Sequence, residues 1–498
     1  MSLSEAAAIL RVTVRTAASA GTGAGHVART TAVAAQLARI GADVRWACDE
    51  ATVPYLVERG VRADRIHVLR HAATAGRSGE AEATDAAQAE DARETLALGP
   101  ADCALVDSYQ LGAAWQRTAR TAGVRVAALD DLAERPVEAD LVINAAASPG
   151  GYDALVPYAR VLTGLSYAIA GDPSRPPAAG PGTLLLAFGA ADPGNLTEAT
   201  LRALAELRDA QGSPFPETVI QLGSGAAGRP KVAELVATLA WATFATAGPT
   251  SPGAPAIAIG AAGVGLLERM QAGVPSVVVV AAPNQRALAD AATRSGAAVA
   301  VADVRAACAE ALRLLADPAA LARMSAAGRA AVDGRGAARV ARELNRLAGV
   351  DLRRATLRDA ELLHRWRNDP SVRAVSHTTD EIPWETHVRW LESSLARGDR
   401  HVLVAERRGQ PLGTLRFDVS GDRATVSIAV DPALHGSGLG PAILDAGDAW
   451  LEANDARVRT CRAEIRDGND ASVRAFLAAG YLPGTDSYER PVGRRTKA

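Results

Sequence analysis

The sequence predicts an α/β chain: two doubly wound lobes with parallel sheets, followed by a smaller α+β module. Three observations carry that expectation. Short apolar runs alternate with helical segments from residue 10 to about 348, as parallel strands with crossover helices require. A Pro/Gly-dense stretch, Gly171–Gly182, separates two copies of that alternation and has the composition of a hinge. Beyond Leu347-Ala348-Gly349-Val350 the pattern changes to antiparallel-type strands with tight turns such as Arg407-Arg408-Gly409-Gln410. The expected domains are therefore 10–170, 183–348 and 350–498.

Length and composition agree. A chain of 498 residues suits roughly three domains of about 150 residues each. Hydrophobic content of 48 % supports large buried cores, and 22 % charged residues is ordinary for a water-exposed protein. A net charge of −2 gives no field that favours nucleic acid or an anionic membrane, so neither partner is expected. The longest uncharged apolar stretch, 254–267, is broken by glycine and proline. Met1-Ser2-Leu3-Ser4-Glu5 lacks a basic region, so no secretory signal is expected. Cys48, Cys103, Cys308 and Cys461 have no metal-ligand spacing and read as reduced core residues of a cytoplasmic protein; no metal is expected.

In the first lobe, strands are expected at Val12–Val14, Val44–Ala47, Ile66–Val68, Ala104–Val106, Val124–Ala128 and Leu141–Ile143. The loop Gly21-Thr22-Gly23-Ala24-Gly25-His26 joins the first strand to an Ala-rich helix ending near Ile40-Gly41. Gly23 and Gly25 let the backbone approach a phosphate, and the helix start offers free N–H groups to an anion. No acidic residue clearly ends the next strand to hold a ribose, which departs from a dinucleotide fingerprint. His26 sits at the turn-to-helix junction, where a neutral imidazole can take a proton from water; the alternative is a capping or packed histidine. Asp107-Ser108-Tyr109 and Asp130-Asp131 each follow an apolar strand, at the end where such sheets bind ligands. Either set also suits a helix N-cap, the plainer expectation for Asp131. The polar, acidic stretch 73–96 reads as a surface helix.

The second lobe repeats this logic, with strands expected at 183–188, 218–222, 256–259, 276–280 and 298–301 and closing helices from about 317 to 348. Gly260-Ala261-Ala262-Gly263-Val264-Gly265 is again strand, glycine loop and helix. The N–H groups around Gly263 and Gly265 suit a diphosphate, and Glu268 suits a ribose diol. Pro283-Asn284-Gln285 closes another strand at its carboxyl end. Two such Rossmann-like lobes around one hinge place a ligand in the cleft between them.

The third module carries Val430-Asp431-Pro432-Ala433-Leu434-His435-Gly436-Ser437-Gly438-Leu439-Gly440, with a helix expected from Pro441. Strand, glycine loop and helix start make an anion cradle. Cys461 is expected within a strand, and Asn469 through Tyr481 within the next helix and turn.

Taken together, the pieces are recognisable. Gly23–Arg29, Val106–Tyr109, Leu129–Ala133, Asp140–Asn144, Phe188–Pro193, Ala258–Gly263 with Leu267-Glu268-Arg269, and Asn284-Gln285 fall in order over residues 10–340. The combination resembles the UDP-2,4-diacetamido-2,4,6-trideoxy-β-L-altropyranose hydrolases of pseudaminic acid biosynthesis, relatives of GT-B glycosyltransferases. The resemblance implies a GT-B-like pair of lobes, UDP-sugar as substrate, His26 as the base for water, and Tyr109 and Asn284 lining the sugar site. The chain departs from that pattern at Thr16 or Ala17, where an Asp is expected, and at Ala190-Ala191 within the Gly-Gly-Ser-Asp loop. Residues 350–498 resemble the GNAT acetyltransferase superfamily through an Arg/Gln-x-x-Gly-x-Gly loop that here begins with His435. Trp366-Arg367-Asn368, Ile382 through His387, and Trp390 are further similar to the acetyltransferase of the same pathway. That resemblance implies acetyl-CoA as co-substrate, held by Val430, His435, Gly436, Gly438, Gly440 and Asn469. Pro441 removes one loop N–H, and Phe476 stands where many relatives carry the tyrosine that protonates the thiolate. The joint implication is N-acetylation of a UDP-4-amino-4,6-dideoxy sugar followed by hydrolytic release of UDP. A GT-B-like glycosyltransferase fused to an acetyltransferase, and a nucleotide- or acyl-CoA-binding protein without turnover, are the alternatives.

Overall fold

The computed structural model describes residues 10–18, 25–73, 83–147, 150–156, 159–170, 182–211, 216–245 and 256–492. The chain packs as two compact units divided at Arg342, the first built mainly from Arg11–Ala38 and Val44–Ala341. Three sheets form among the described residues.

In the first lobe the strands are β1 (Leu10–Thr16), β2 (Ala42–Cys48), β3 (Ile66–Val68), β4 (Cys103–Asp107), β5 (Arg125–Leu129), β6 (Leu141–Asn144) and β7 (Arg160–Thr163). Their order across the sheet is β3-β2-β1-β4-β5-β6-β7, with parallel registers such as Val14 opposite Leu105 and Ala127 opposite Leu141. All five residues of β4 are buried, as expected of a central strand covered by helices on both faces. The second lobe contains β8 (Leu184–Ala187), β9 (Thr218–Ile220), β10 (Ala242–Phe244), β11 (Ile257–Ala261), β12 (Ser276–Val279) and β13 (Ala298–Val301). Its order, β10-β9-β8-β11-β12-β13, is also parallel throughout. In each lobe the winding reverses beside the first strand, between β1 and β4 and between β8 and β11, where loops diverge and leave a crevice.

The third module holds β14 (Asp351–Arg354), β15 (Arg400–Arg407), β16 (Gln410–Ser420), β17 (Arg423–Val430), β18 (Thr460–Ala463), β19 (Leu482–Pro483) and β20 (Tyr488–Pro491). Strands β14 to β17 are antiparallel, and the β15–β16 turn has Arg408 and Gly409 at φ 50° and 76°, as a two-residue hairpin requires. Beyond the helix Leu439–Asn454, β18 returns parallel to β17 but pairs with it only over Arg423–Thr425. Val426–Val430 thus runs on without β18 beside it, next to the glycine loop.

Several expectations change. The acidic stretch forms the helix Asp85–Ala97, and it is not merely a surface helix: Asp91 is fully buried and accepts from Arg15, Trp115 and the Ala73 backbone. Strands β7 and β10 were not anticipated. The third module's glycine loop enters its helix at Leu439, so Pro441 lies inside the first turn and does not begin the helix. The compact units divide inside the helix Gly336–Leu347, because Asn345, 1 % exposed, donates to the Ser437 carbonyl and accepts from Arg407. The hinge 171–181 and Gly23 lie outside the described residues. All four cysteines are buried. Among the described residues no helix is long and apolar enough to cross a membrane.

Candidate active sites

In the first lobe the helix Gly25–Arg39 starts beside the crevice between β1 and β4. Its second residue is His26, and Arg29 stands one turn further on the same face. Asp107, the last residue of β4, is completely buried. Its Oδ1 lies 2.6 Å from His26 Nδ1 and accepts from Arg29 Nη2 at 2.7 Å, while Oδ2 accepts from Arg29 Nε at 2.6 Å. Arg29 Nη1 donates to Asp131 at 2.7 Å. The other Asp131 oxygen accepts the Tyr109 hydroxyl at 2.9 Å, and that hydroxyl accepts from Asn284 Nδ2 of the second lobe at 3.1 Å. The Tyr109 ring meets the His26 ring edge-on, with centroids 4.6 Å apart.

Charge fixes the protons in this chain. Burial works against ionisation of Asp107, but Arg29 and then His26 outweigh it and hold the carboxyl down at about 2. Asp131 is likewise held down by Arg29 against its burial. Burial, with Asp131 next, pushes the Tyr109 phenol well up, so it stays a neutral donor. An ionised Asp107 is acceptor-only, so His26 Nδ1 carries the proton and points it at Oδ1. The approach of Arg29 Nη2 to that same nitrogen, 3.1 Å, is then proximity and not a bond. Nε2 has no hydrogen-bond partner among the described residues. The result is an imidazole oriented through Nδ1–H, which leaves Nε2 as the nitrogen that a neutral ring would offer as acceptor.

Two sequence readings shift here. Asp107 was expected to hold substrate; both its oxygens are instead occupied by His26 and Arg29. Asp131 was expected to cap a helix, but β5 is followed by a loop leading to β6, and the carboxylate bridges Arg29 and Tyr109. Arg29 lies inside the quoted loop motif, yet its role was missed; its spacing of three from His26 was the available signal.

Gly25 stands close to the second lobe: a Cβ there would lie 3.6 Å from Val264 Cγ2. This puts the start of the helix Gly25–Arg39 beside the start of the helix Val264–Ala272. Gly263 caps the latter with no side-chain bond, and space around it is open. Gly265 is in the first turn, and Glu268 is exposed one turn past the loop. Asn284 occupies the short turn Pro283–Gln285 after β12, and its Oδ1 is buried with no partner among the described residues.

In the third module Gly436 and Gly438 adopt φ 79° and 91°, conformations that favour glycine. His435 Nε2 lies 3.2 Å from the Val430 carbonyl, folding the loop back on β17. Gly440 lets the helix Leu439–Asn454 approach the helix Asp470–Ala478: a Cβ there would stand 3.2 Å from Ala475 Cβ. Asn469 caps that second helix through Ser472 N at 3.1 Å. Gly438 is doubly constrained, since a Cβ would come within 2.7 Å of the Arg342 carbonyl. Phe476 is a core residue, 3 % exposed and edge-on to Tyr481, and presents nothing to a thiolate. Cys461 lies in β18, where burial pushes its thiol up to about 12. Asn345, which holds the Ser437 carbonyl, and Arg407, which holds Asn345, gave no sequence signal because their partners lie far along the chain.

Residues 350–481 match the family model described as acetyltransferase (GNAT) domain. No curated protein matches the chain. Among solved structures, MurG of Acinetobacter baumannii is 19 % identical and covers 66 % of this chain and 98 % of its own, with a TM-score of 0.47. The aminoglycoside acetyltransferase AAC(6')-Ib in complex with coenzyme A and kanamycin is 20 % identical over 28 % of this chain and 94 % of its own, TM-score 0.26. Spermidine N-acetyltransferase from Vibrio cholerae in complex with CoA and spermine is 9 % identical over 29 % of this chain and 96 % of its own, TM-score 0.27. The third module is a GNAT-type acetyltransferase domain, and acetyl-CoA is its co-substrate.

Proposed function

We propose that the chain is a bifunctional nucleotide-sugar enzyme. Its GNAT domain acetylates the amine of a UDP-4-amino-4,6-dideoxy sugar. Its paired lobes then hydrolyse the resulting UDP-2,4-diacetamido-2,4,6-trideoxy-β-L-altropyranose, a step of pseudaminic-acid-type biosynthesis. The observation that carries the hydrolytic half is the His26–Asp107 pair at the β1/β4 crevice, which leaves Nε2 as the base. Water loses a proton to Nε2 as its oxygen bonds to the anomeric carbon, and the C–O bond to UDP breaks with inversion. UDP is a good leaving group, so no carboxylic acid need protonate it, unlike the alkoxide released by ordinary glycosidases. Tyr109 and Asn284 line the sugar site, while the loop at Gly263 and Gly265 takes the diphosphate and Glu268 the ribose.

In the acetyl transfer the amine attacks the thioester directly, its nitrogen bonding to the acetyl carbon while the C–S bond breaks and the thiolate takes up a proton. A buried, strand-bound Cys461 does not suit an acyl carrier. The test is incubation with the UDP-4-amino sugar with and without acetyl-CoA, products identified by mass spectrometry in ¹⁸O-water. The label belongs on the anomeric hydroxyl; label in UDP would mean attack at phosphorus. UDP release only when an acceptor sugar is added would instead make the lobes a glycosyltransferase.

A further inference from the structure

Arg269 is 6 % exposed. Its Nε donates to Ser276 Oγ at 3.1 Å, Nη2 to the Ala261 carbonyl at 3.0 Å, and Nη1 reaches the Ala187 carbonyl at 3.5 Å. Among the described residues no carboxylate forms an ion pair with it. Three other largely enclosed arginines differ: Arg15 faces Asp91, Arg29 faces Asp107 and Asp131, and Arg490 faces Asp445 and Asp448. A guanidinium buried against neutral acceptors costs free energy that a countercharge would normally offset.

Its surroundings add to that cost. A Cβ on Gly265 would lie 3.5 Å from Nη1, and one on Gly260 3.2 Å from Nη2. The guanidinium therefore sits at the first turn of the helix Val264–Ala272, its positive end, where a cation is disfavoured. That turn contains no acidic residue and its cap makes no side-chain bond. Glu268, the adjacent carboxylate, is exposed. Burial drags the guanidinium down to about 10, with Glu268 acting the other way, so it remains charged at neutral pH. Its carbonyl partners end β8 and β11, so the charge stands at the second lobe's crevice.

We propose that Arg269 is a fixed positive charge beneath the second lobe's glycine loop, and that the diphosphate of a bound nucleoside diphosphate is its missing counter-anion. Arg269 is a positioning residue acting through space, with the loop N–H groups making the direct contacts. The inference rests on the assignment of a nucleoside-diphosphate substrate to this loop, and the test separates the two. Calorimetry, by displacement where binding is weak, compares UDP with uridine for the wild type, Arg269→Gln and Arg269→Lys.

The glutamine variant should weaken UDP about ten- to a hundredfold, the scale of one unit charge at an effective dielectric near 20, and leave uridine unchanged. The lysine variant, which keeps the charge, should retain most of the UDP preference. Arg269→Met is the second neutral variant should the glutamine fail to fold. Equal losses for UDP and uridine, or a lysine variant as impaired as the glutamine, would overturn the inference. A folded wild type that binds neither ligand would instead overturn the nucleoside-diphosphate assignment itself.

Discussion

Asp107→Asn is the most informative single change in the first lobe. The carboxylate is fully buried and 2.6 Å from His26 Nδ1, so in the proposed hydrolysis its charge acts on the imidazolium that forms as water is deprotonated. Two unit charges with centres about 4 Å apart interact by about 4 kcal/mol at an effective dielectric near 20. Losing that term raises the barrier by roughly three factors of ten, so kcat for UDP release should fall about 10³-fold. The amide cannot restore what is lost. Arg29 donates to both oxygens, so either amide orientation sets an N–H against a guanidinium N–H. UDP affinity should hold, because Asp107 has no exposed surface. The assay is single-turnover UDP release from preacetylated substrate, with calorimetry for binding and His26→Asn and the double variant beside it. If the pair acts as a unit, the double variant is no slower than His26→Asn alone. A fall of less than tenfold, or full additivity, would refute the role assigned to Asp107. The pH sign is also fixed. The folded carboxyl, at about 2, lies below its ordinary 3.8, so the pairing is intact above about pH 4 and is lost only as pH falls toward 2. Loss of activity above pH 4 must come from another group.

Three further outcomes follow from the geometry. Tyr109→Phe removes the hydroxyl between Asp131 and Asn284, and should raise KM for the UDP-sugar about three- to tenfold, read from initial rates; an unchanged KM would separate this hydroxyl from the sugar site. Asn345→Leu releases the Ser437 carbonyl and should raise KM for acetyl-CoA about five- to tenfold while sparing S-acetyl-pantetheine, which lacks the diphosphate; equal loss with both donors would mean a general folding defect. Gly436→Asp should weaken acetyl-CoA about tenfold more than Gly436→Asn does, since both tolerate φ 79° and differ in charge, with UDP release from preacetylated substrate unaffected; Gly438 is the poorer probe, because any side chain there strikes the Arg342 carbonyl.

The sequence reveals the parts whose cause is local. Central strands such as β4 and β8 are uninterrupted apolar runs because both faces are covered, and glycine at strand-to-helix junctions marks the crevices. Strands β7 and β10, with four and three residues, are outer strands and carry too little periodicity to stand out. The helix Asp85–Ala97 looks solvent-facing because its buried residues include Gln88, Asp91 and Thr95. Asp91 is inside only because Arg15, 76 residues away, pairs with it. Asp131 likewise takes its role from Arg29, 102 residues earlier. A carboxylate's role is set by the cation that reaches it, and nothing near it in the chain announces that partner.

The chain Asp107–Arg29–Asp131–Tyr109–Asn284 also orders its own links by strength. Arg29 binds its two carboxylates through charge-assisted bonds of 2.6–2.7 Å, all within the first lobe. The Asn284–Tyr109 bond that crosses to the second lobe joins two neutral groups at 3.1 Å. A neutral bond is worth about 1 kcal/mol and a charged one about 1.5–3 kcal/mol, so separation of the lobes breaks this chain at its border. The His26–Asp107 pair and its arginine, all in the first lobe, then remain assembled. Re-formation of the Asn284 bond needs the second lobe; on the proposed function, the base would therefore be permanent, and the sugar site would be completed only when the second lobe is in place.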